Sequence, residues 1–213
     1  MDIVLAFVDL VLHLDRHLAD LVHNYGVWVY AILFLIIFCE TGLVVTPFLP
    51  GDSLLFVTGT LAGAGMLDPT ILIVSLTAAA IIGNTANYWI GRYIGPAVFQ
   101  RNDSRFFKQA YLQRTELFYE KHGGKTIVIT RFMPIIRTFA PFVAGVGRMP
   151  HLRFQAYNVA GGLLWVGSLV LAGDFFGDTP FVKNNLTAVI FGIIFLSLLP
   201  GIIEVLRHRL RHQ

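Results

Sequence analysis

Long apolar runs recur along the chain, and what interrupts them predicts the elements. A helix needs about 20 predominantly apolar residues to cross a bilayer. Residues 70–91, 154–173 and 186–206 meet or nearly meet that length, and residues 21–39 join them if His23 and Asn24 are counted through. Two further stretches are apolar but broken: 41–65 by Pro47, Pro50 and Gly51, and 126–147 by Pro134, Pro141 and several glycines. Each is too long for a loop and too interrupted for one clean helix. Backbone of that kind survives at membrane depth only where protein buries it or where it lines a cavity, so both are expected to be re-entrant helical hairpins. The two share Pro-Phe-x-x-Gly, at 47–51 and 141–145, which with the matching breaks points to a duplicated, pseudo-inverted architecture. Within residues 1–22, Ile3, Leu5, Val8, Leu10, Leu12, Leu14, Leu18 and Leu21 stand at helical spacing against Asp9, His13, Arg16 and Asp20, predicting an N-terminal amphipathic helix. The expected fold is an all-α polytopic membrane protein with a single membrane domain over 1–213. Its expected parts are about four transmembrane helices, two opposed re-entrant helical hairpins and the amphipathic helix.

Composition agrees with the bilayer as solvent. Of 213 residues 55% are hydrophobic and 14% charged, with mean hydropathy +0.68, against about 25% charge in an ordinary soluble domain. Asp2, Asp9, Asp15 and Asp20 stand where a signal peptide would carry a basic region, so none is expected. The lone Cys39 excludes an internal disulfide and reads as a small buried hydrophobe. Basic residues set the sidedness. Segment 92–125 holds Arg92, Arg101, Arg105, Lys108, Arg114, Lys121 and Lys125; Arg148 and Arg153 flank a short link, and the tail adds Arg207, Arg209 and Arg211. The positive-inside rule places these three regions in the cytoplasm. Four spans with two hairpins satisfy that placement with the N-terminus inside. If 41–65 crosses fully, the N-terminus lies outside and every later loop keeps its side. In the basic segment Phe106, Phe107, Tyr111 and Phe118 are interleaved, which suits either an anionic lipid surface or a solvated amphipathic helix.

Four charges remain at membrane depth: Glu40 and Asp52 in or beside the first broken segment, Arg131 and Arg137 in the second. Each costs about 2.5–3.5 kcal/mol at a helix centre on insertion scales. They are tolerated only if they face one another, water or a ligand. A fixed ion-pair clasp satisfies this, as does a polar site in which Arg131 and Arg137 grip a phosphate and Glu40 and Asp52 exchange protons. The coincidence of charge with broken backbone favours the site. Asn84 and Asn87, with Pro47 and Pro141, are candidate lining residues, although the asparagines equally suit helix-to-helix hydrogen bonding. Gly59/Gly63, Gly91/Gly95 and Gly173/Gly177 have small-xxx-small spacing and read as packing. His13 and His17 stand four apart, but a closed metal site needs three or four ligands, so no metal is expected. No cofactor or nucleic-acid partner is expected either. The histidines are scattered over termini and loops and the acids lack metal spacing, so an enzyme is not expected.

At these residues the chain resembles the DedA family of membrane proteins. The matching stretches are FCETGLVVTPFLPGDSLLFVTGTLA, GNTANYWIGRYIG, FYEKHGGKTIVITRFMPIIRTFAPFVAGVGRM and YNVAGGLLWV, with the Arg-Phe-x-Pro-x-x-Arg-Thr core at 131–138. The resemblance implies two opposed re-entrant hairpins in a helical bundle of the bacterial inner membrane. It also implies that Glu40, Asp52, Arg131 and Arg137 match the family's essential positions. It further implies transbilayer movement of lipids such as undecaprenyl phosphate or phospholipid, dependent on proton motive force, with roles in envelope integrity and drug tolerance. Asn84 stands where the family pattern has an acid, and Asp174 where it has tyrosine.

The function expected is therefore an inner-membrane lipid transporter or scramblase, moving phosphate-bearing lipids between leaflets with protons as the candidate coupling ion. A proton- or cation-coupled exporter of small solutes is the alternative. The expected partners are membrane lipids and protons, and a homo-oligomer is left open.

Overall fold

A computed structural model of the chain describes residues 14–43, 51–99 and 124–177, with scattered positions between 179 and 195. The described residues are helical, with no strand among them. We number the helices α1 Leu14–Tyr25, α2 Trp28–Gly42, α3 Gly51–Gly63, α4 Pro69–Phe99, α5 Lys125–Thr130, α6 Pro134–Val146 and α7 His151–Phe176.

The span expected over 21–39 is divided. Gly26 takes a left-handed φ of +51° and its N–H returns to Val22 O, closing α1 before α2 begins. Helix α2 is 15 residues long and runs on through Glu40, so that acid lies inside a helix rather than after one. The amphipathic helix continues to Tyr25, and its first 13 residues lie outside the description. The expected spans over 70–91 and 154–173 appear as α4 and α7. Of these, Pro69–Ile94 and His151–Phe176 are the two described helices long and apolar enough to cross a membrane. Both expose large apolar side chains outward, Val74, Ile82 and Ile90 on α4 and Leu163, Leu164 and Leu171 on α7. Apolar surface on that scale suits lipid, not water. The segment expected over 186–206 and residues 100–123 of the basic segment lie almost wholly outside the description.

The second broken segment is a short helix, a turn at 131–133 and a second helix, α5 to α6. The first resumes at Gly51 as α3, with Pro47 and Pro50 outside the described residues. A local repeat is present, but not where the shared Pro-Phe-x-x-Gly suggested. Gly51 starts α3, whereas 141–145 lies within α6. The equivalent parts are the helices themselves, each 13 residues long. Each closes in the same way. Met66 N–H reaches Leu61 O and Gly65 N–H reaches Ala62 O, as Met149 N–H reaches Ala144 O and Arg148 N–H reaches Gly145 O. This is the Schellman closure, with the left-handed position held by Gly65 at φ +76° and by Arg148 at φ +49°. A long apolar helix follows each. Helix α4 is started by Asp68, whose Oδ1 accepts from Thr70 and Ile71 N–H at 2.8 and 3.0 Å, with Pro69 at the first helical position.

Two compact units divide the chain: residues 1–36, 48–76 and 166–213 in the first, and 37–47 and 77–165 in the second. In the first, α3 is buried along almost its whole length, and its glycines meet those of α7. A Cβ on Gly59 would strike Val170 O and press on Gly173 Cα, and one on Gly63 would strike the Asp174 carbonyl. The small-residue spacing is therefore a packing device. In the second unit Tyr88, Ile127, Ala140, Ala144, Met149 and Phe154 form the apolar core, with Tyr88 stacked on Phe154 at 4.5 Å between ring centroids. Gly59→Val is expected to destabilise the folded protein by about 1–3 kcal/mol or more, since backbone rather than a flexible side chain blocks the added volume. Gly167→Ala, with nothing within 4 Å of the new methyl, should be neutral or stabilising. Thermal unfolding of both variants in one detergent checks the contrast.

Candidate functional site

The second unit gathers three of the four charges that the sequence left at membrane depth, Glu40, Arg131 and Arg137. The last turn of α2 supplies Glu40 and Thr41, α4 supplies Asn84 and Asn87, the turn after α5 supplies Arg131, and α6 supplies Arg137 and Thr138. Glu40, Arg131 and Arg137 are 1%, 2% and 4% exposed. Arg137 donates through Nη2 to Glu40 Oε1, closing a buried ion pair between α6 and the last turn of α2. Breaking such a pair from one side typically costs about 3–5 kcal/mol, because the survivor is stranded.

Arg131 is treated differently. Its Nη2 donates to Asn158 Oδ1 at 2.5 Å and to Asn158 O at 3.2 Å, and its Nε is buried without a hydrogen-bond partner. It forms no ion pair with any described residue. Asn158 is held for this task. Its Nδ2 donates to Ile81 O, Thr85 Oγ1 and Gln155 Oε1 at 3.1, 3.3 and 3.0 Å, which fixes Oδ1 toward the guanidinium. Asn84 Nδ2 donates to the same Oδ1 at 3.2 Å. Gly161 makes room, since a Cβ there would press to 3.1 Å on the Arg131 side chain. Both guanidiniums face the indole of Trp165, with Cζ 4.7 Å from the ring centroid for Arg137 and 6.0 Å for Arg131. In a desolvated setting such a cation–π contact is worth about 2 kcal/mol.

Of the sequence-predicted residues, Glu40, Arg137, Arg131, Asn84 and Asn87 are therefore brought into one unit. Asp52 is buried in the first turn of α3, in the other unit, where its charge suits the helix N-terminus. Pro141 is buried inside α6, four residues after Arg137, and offers no N–H to the helix there. Pro47 and His13 lie outside the described residues, and His17 is exposed on α1. Sequence reasoning missed Asn158 and Trp165 as site residues. Their signal was a polar residue, two glycines and a tryptophan at positions 158, 161, 162 and 165, one face of a helix inside an otherwise apolar span.

Helices of this length and apolar surface, with charge sequestered inside, define an all-helical membrane protein built around a buried ionic cluster. The VTT domain model matches residues 49–175, which takes in α3 through α7 and so both copies of the local repeat. Protein DedA of Escherichia coli is 57% identical over 211 residues, covering 98% of this chain and 96% of its own length. An uncharacterized membrane protein of Mycobacterium leprae is 48% identical over 168 residues, 79% of this chain and 75% of its own. The inner membrane protein YghB of Escherichia coli is 37% identical over 174 residues, 81% and 77% of the two chains. The chain belongs to the DedA family of membrane proteins. No solved structure matches it.

Asn158→Ala should cost about 1–3 kcal/mol of stability, because a buried guanidinium loses its side-chain acceptor and keeps only the backbone carbonyl. Adding Arg131→Leu should recover part of that loss, since the stranded charge is then gone. Thermal unfolding of the single and double variants distinguishes this from loss of packing, which would make the double variant worse.

Proposed function

We propose that this chain moves phosphate-bearing lipids, undecaprenyl phosphate or phospholipid, between the leaflets of the bacterial inner membrane. The observation that carries the proposal is the inequality of the two arginines. Arg137 already has a carboxylate, while Arg131 is buried against neutral amide groups and an indole. A cation held in that way, in a low-dielectric interior, is a receptor for an anion. A phosphate monoester or diester head group supplies that charge and matches the planar fork of a guanidinium. Protonation of Glu40 would release Arg137 to join Arg131 on the head group, while the acyl or prenyl tail stays in the bilayer. Asp52 is the second proposed proton carrier.

The topology proposed with this function has four spans and two opposed re-entrant hairpins, with the basic segment 92–125 in the cytoplasm. The VTT match and a relative named as an inner membrane protein support the membrane location; the spans, hairpins and sidedness rest on apolar length, broken backbone and basic residues. The partners proposed are membrane lipids and protons. No chemical conversion of the lipid is proposed.

The test is reconstitution of the full chain in liposomes, following leaflet exchange of undecaprenyl phosphate and of a labelled phospholipid, with and without a pH gradient. Exchange should require the protein and fall at least tenfold in Asn158→Asp, which gives Arg131 a permanent internal counter-charge. Arg137→Lys should fail as Arg137→Ala does, because a point charge does not reproduce bidentate contact. Asp52→Asn should abolish the response to the gradient. Exchange of neither lipid by folded protein would overturn the proposal and favour export of a small solute.

A further inference from the structure

We propose that Asn87 is the positioning residue of the buried ion pair, one side-chain amide that sets Glu40 and Arg137 in register. Its Nδ2 donates both hydrogens across long sequence separations, to Thr138 O at 2.7 Å and to Thr41 O at 3.3 Å. Thr41 and Thr138 are the residues directly after Glu40 and Arg137, the two partners of the pair. One nitrogen thus holds the backbone beside each charge. The Thr41 carbonyl lies in the last turn of α2, where carbonyls lack intrahelical donors and need an outside one. The opposite amide orientation is excluded, since it would set Oδ1 against two carbonyl oxygens.

Helix α4 is shaped to let this amide reach both neighbours. Gly83, Asn87 and Gly91 fall at four-residue intervals, on one face of the helix. A Cβ on Gly83 would strike Thr41 Oγ1 and crowd Phe38 O at 2.9 Å, and one on Gly42 would come within 3.3 Å of Gly83 Cα. A Cβ on Gly91 would strike Phe142 O, and one on Gly145 would strike Tyr88 O. The glycines bring the end of α2 and the middle of α6 against the same face of α4, one on each side of Asn87. Residues of similar size or chemistry do not do the same work. Serine offers one hydrogen, an ionised aspartate none, and glutamine places its nitrogen one methylene too far. Asn87 Oδ1 is meanwhile buried without a partner, a cost that an apolar residue at 87 would avoid. The retained cost points to the two donated bonds as the reason for an asparagine.

The transport part of the test rests on the proposed function; the structural part does not. Full-length protein in nanodiscs is prepared as wild type, Asn87→Ala, Asn87→Ser, Glu40→Gln and the Asn87→Ala/Glu40→Gln pair. The infrared carboxylate stretch of Glu40, isolated by difference against Glu40→Gln, is recorded together with the unfolding temperature. The Glu40 band should move in Asn87→Ala, and the drop in unfolding temperature from Asn87→Ala should shrink by at least half once Glu40 is glutamine. Asn87→Ser, which keeps one donor, should fall between wild type and alanine, and it replaces alanine if that variant does not insert. An unmoved Glu40 band with additive temperature drops would overturn the proposal and leave Asn87 a packing residue. In liposomes Asn87→Ala should lose tenfold or more in maximal lipid exchange, and Asn87→Asp should not rescue it. A wild type that moves no lipid would defeat the transport reading alone, because the infrared and thermal results still decide the role of Asn87.

Discussion

Arginine cannot shed its proton in a protein interior, and two arginines are almost completely buried here. The rest of the second unit follows from that constraint. One guanidinium requires a carboxylate, so α2 has to carry Glu40 to Arg137. The other is met by neutral acceptors, so α7 presents Asn158 together with Gly161, which leaves room for a long side chain. The indole of Trp165 faces both and adds attraction without adding charge. Glycines on α4 then let α2 and α6 come close enough for the groups to meet. In lipid there is no hydrophobic drive between helices, so close backbone approach and buried hydrogen bonds must supply the cohesion.

The broken backbone serves the same end. A continuous helix would place residues 131 and 137 on a fixed pitch along one cylinder. The turn at 131–133 instead puts Arg131 at the end of α5, with a backbone bond from its N–H to Val128 O, and restarts the chain at Pro134. The two side chains can then be aimed from separate helices. Pro141 repeats the device inside α6, removing one intrahelical bond near Arg137.

Much of this was legible in the sequence. The spans of α4 and α7 followed from apolar length, and the four charges stood out because a bilayer penalises each of them. The glycine pairs Gly59/Gly63 and Gly173/Gly177 were readable as packing from spacing alone. Other features were hidden for physical reasons. A single glycine in the left-handed region splits α1 from α2, and hydropathy does not register a positive φ. The Pro-Phe-x-x-Gly match misplaced the repeat, because closures that use backbone N–H groups need no shared side chains and are satisfied equally by Gly65 and Arg148. Asn158 was overlooked because an amide in an apolar span looks like helix glue until its acceptor is seen to face a guanidinium.

The two arginines are not interchangeable, and this bears on the order of events for an anionic cargo. Removing Glu40 from Arg137 without protonating it strands two buried charges. An anion arriving at Arg131 would strand none, because the contacts it exchanges are neutral and Asn158 keeps its Nδ2 hydrogens shared among Ile81 O, Thr85 Oγ1 and Gln155 Oε1. Arg131 is therefore the cheaper first contact. For a proposed cargo that is a dianionic phosphate monoester, the second negative charge then competes with Glu40 for Arg137, and a proton on Glu40 would settle that competition with no net charge left in the interior. Coupling between cargo and proton would then come from charge balance alone, without a large movement of helices.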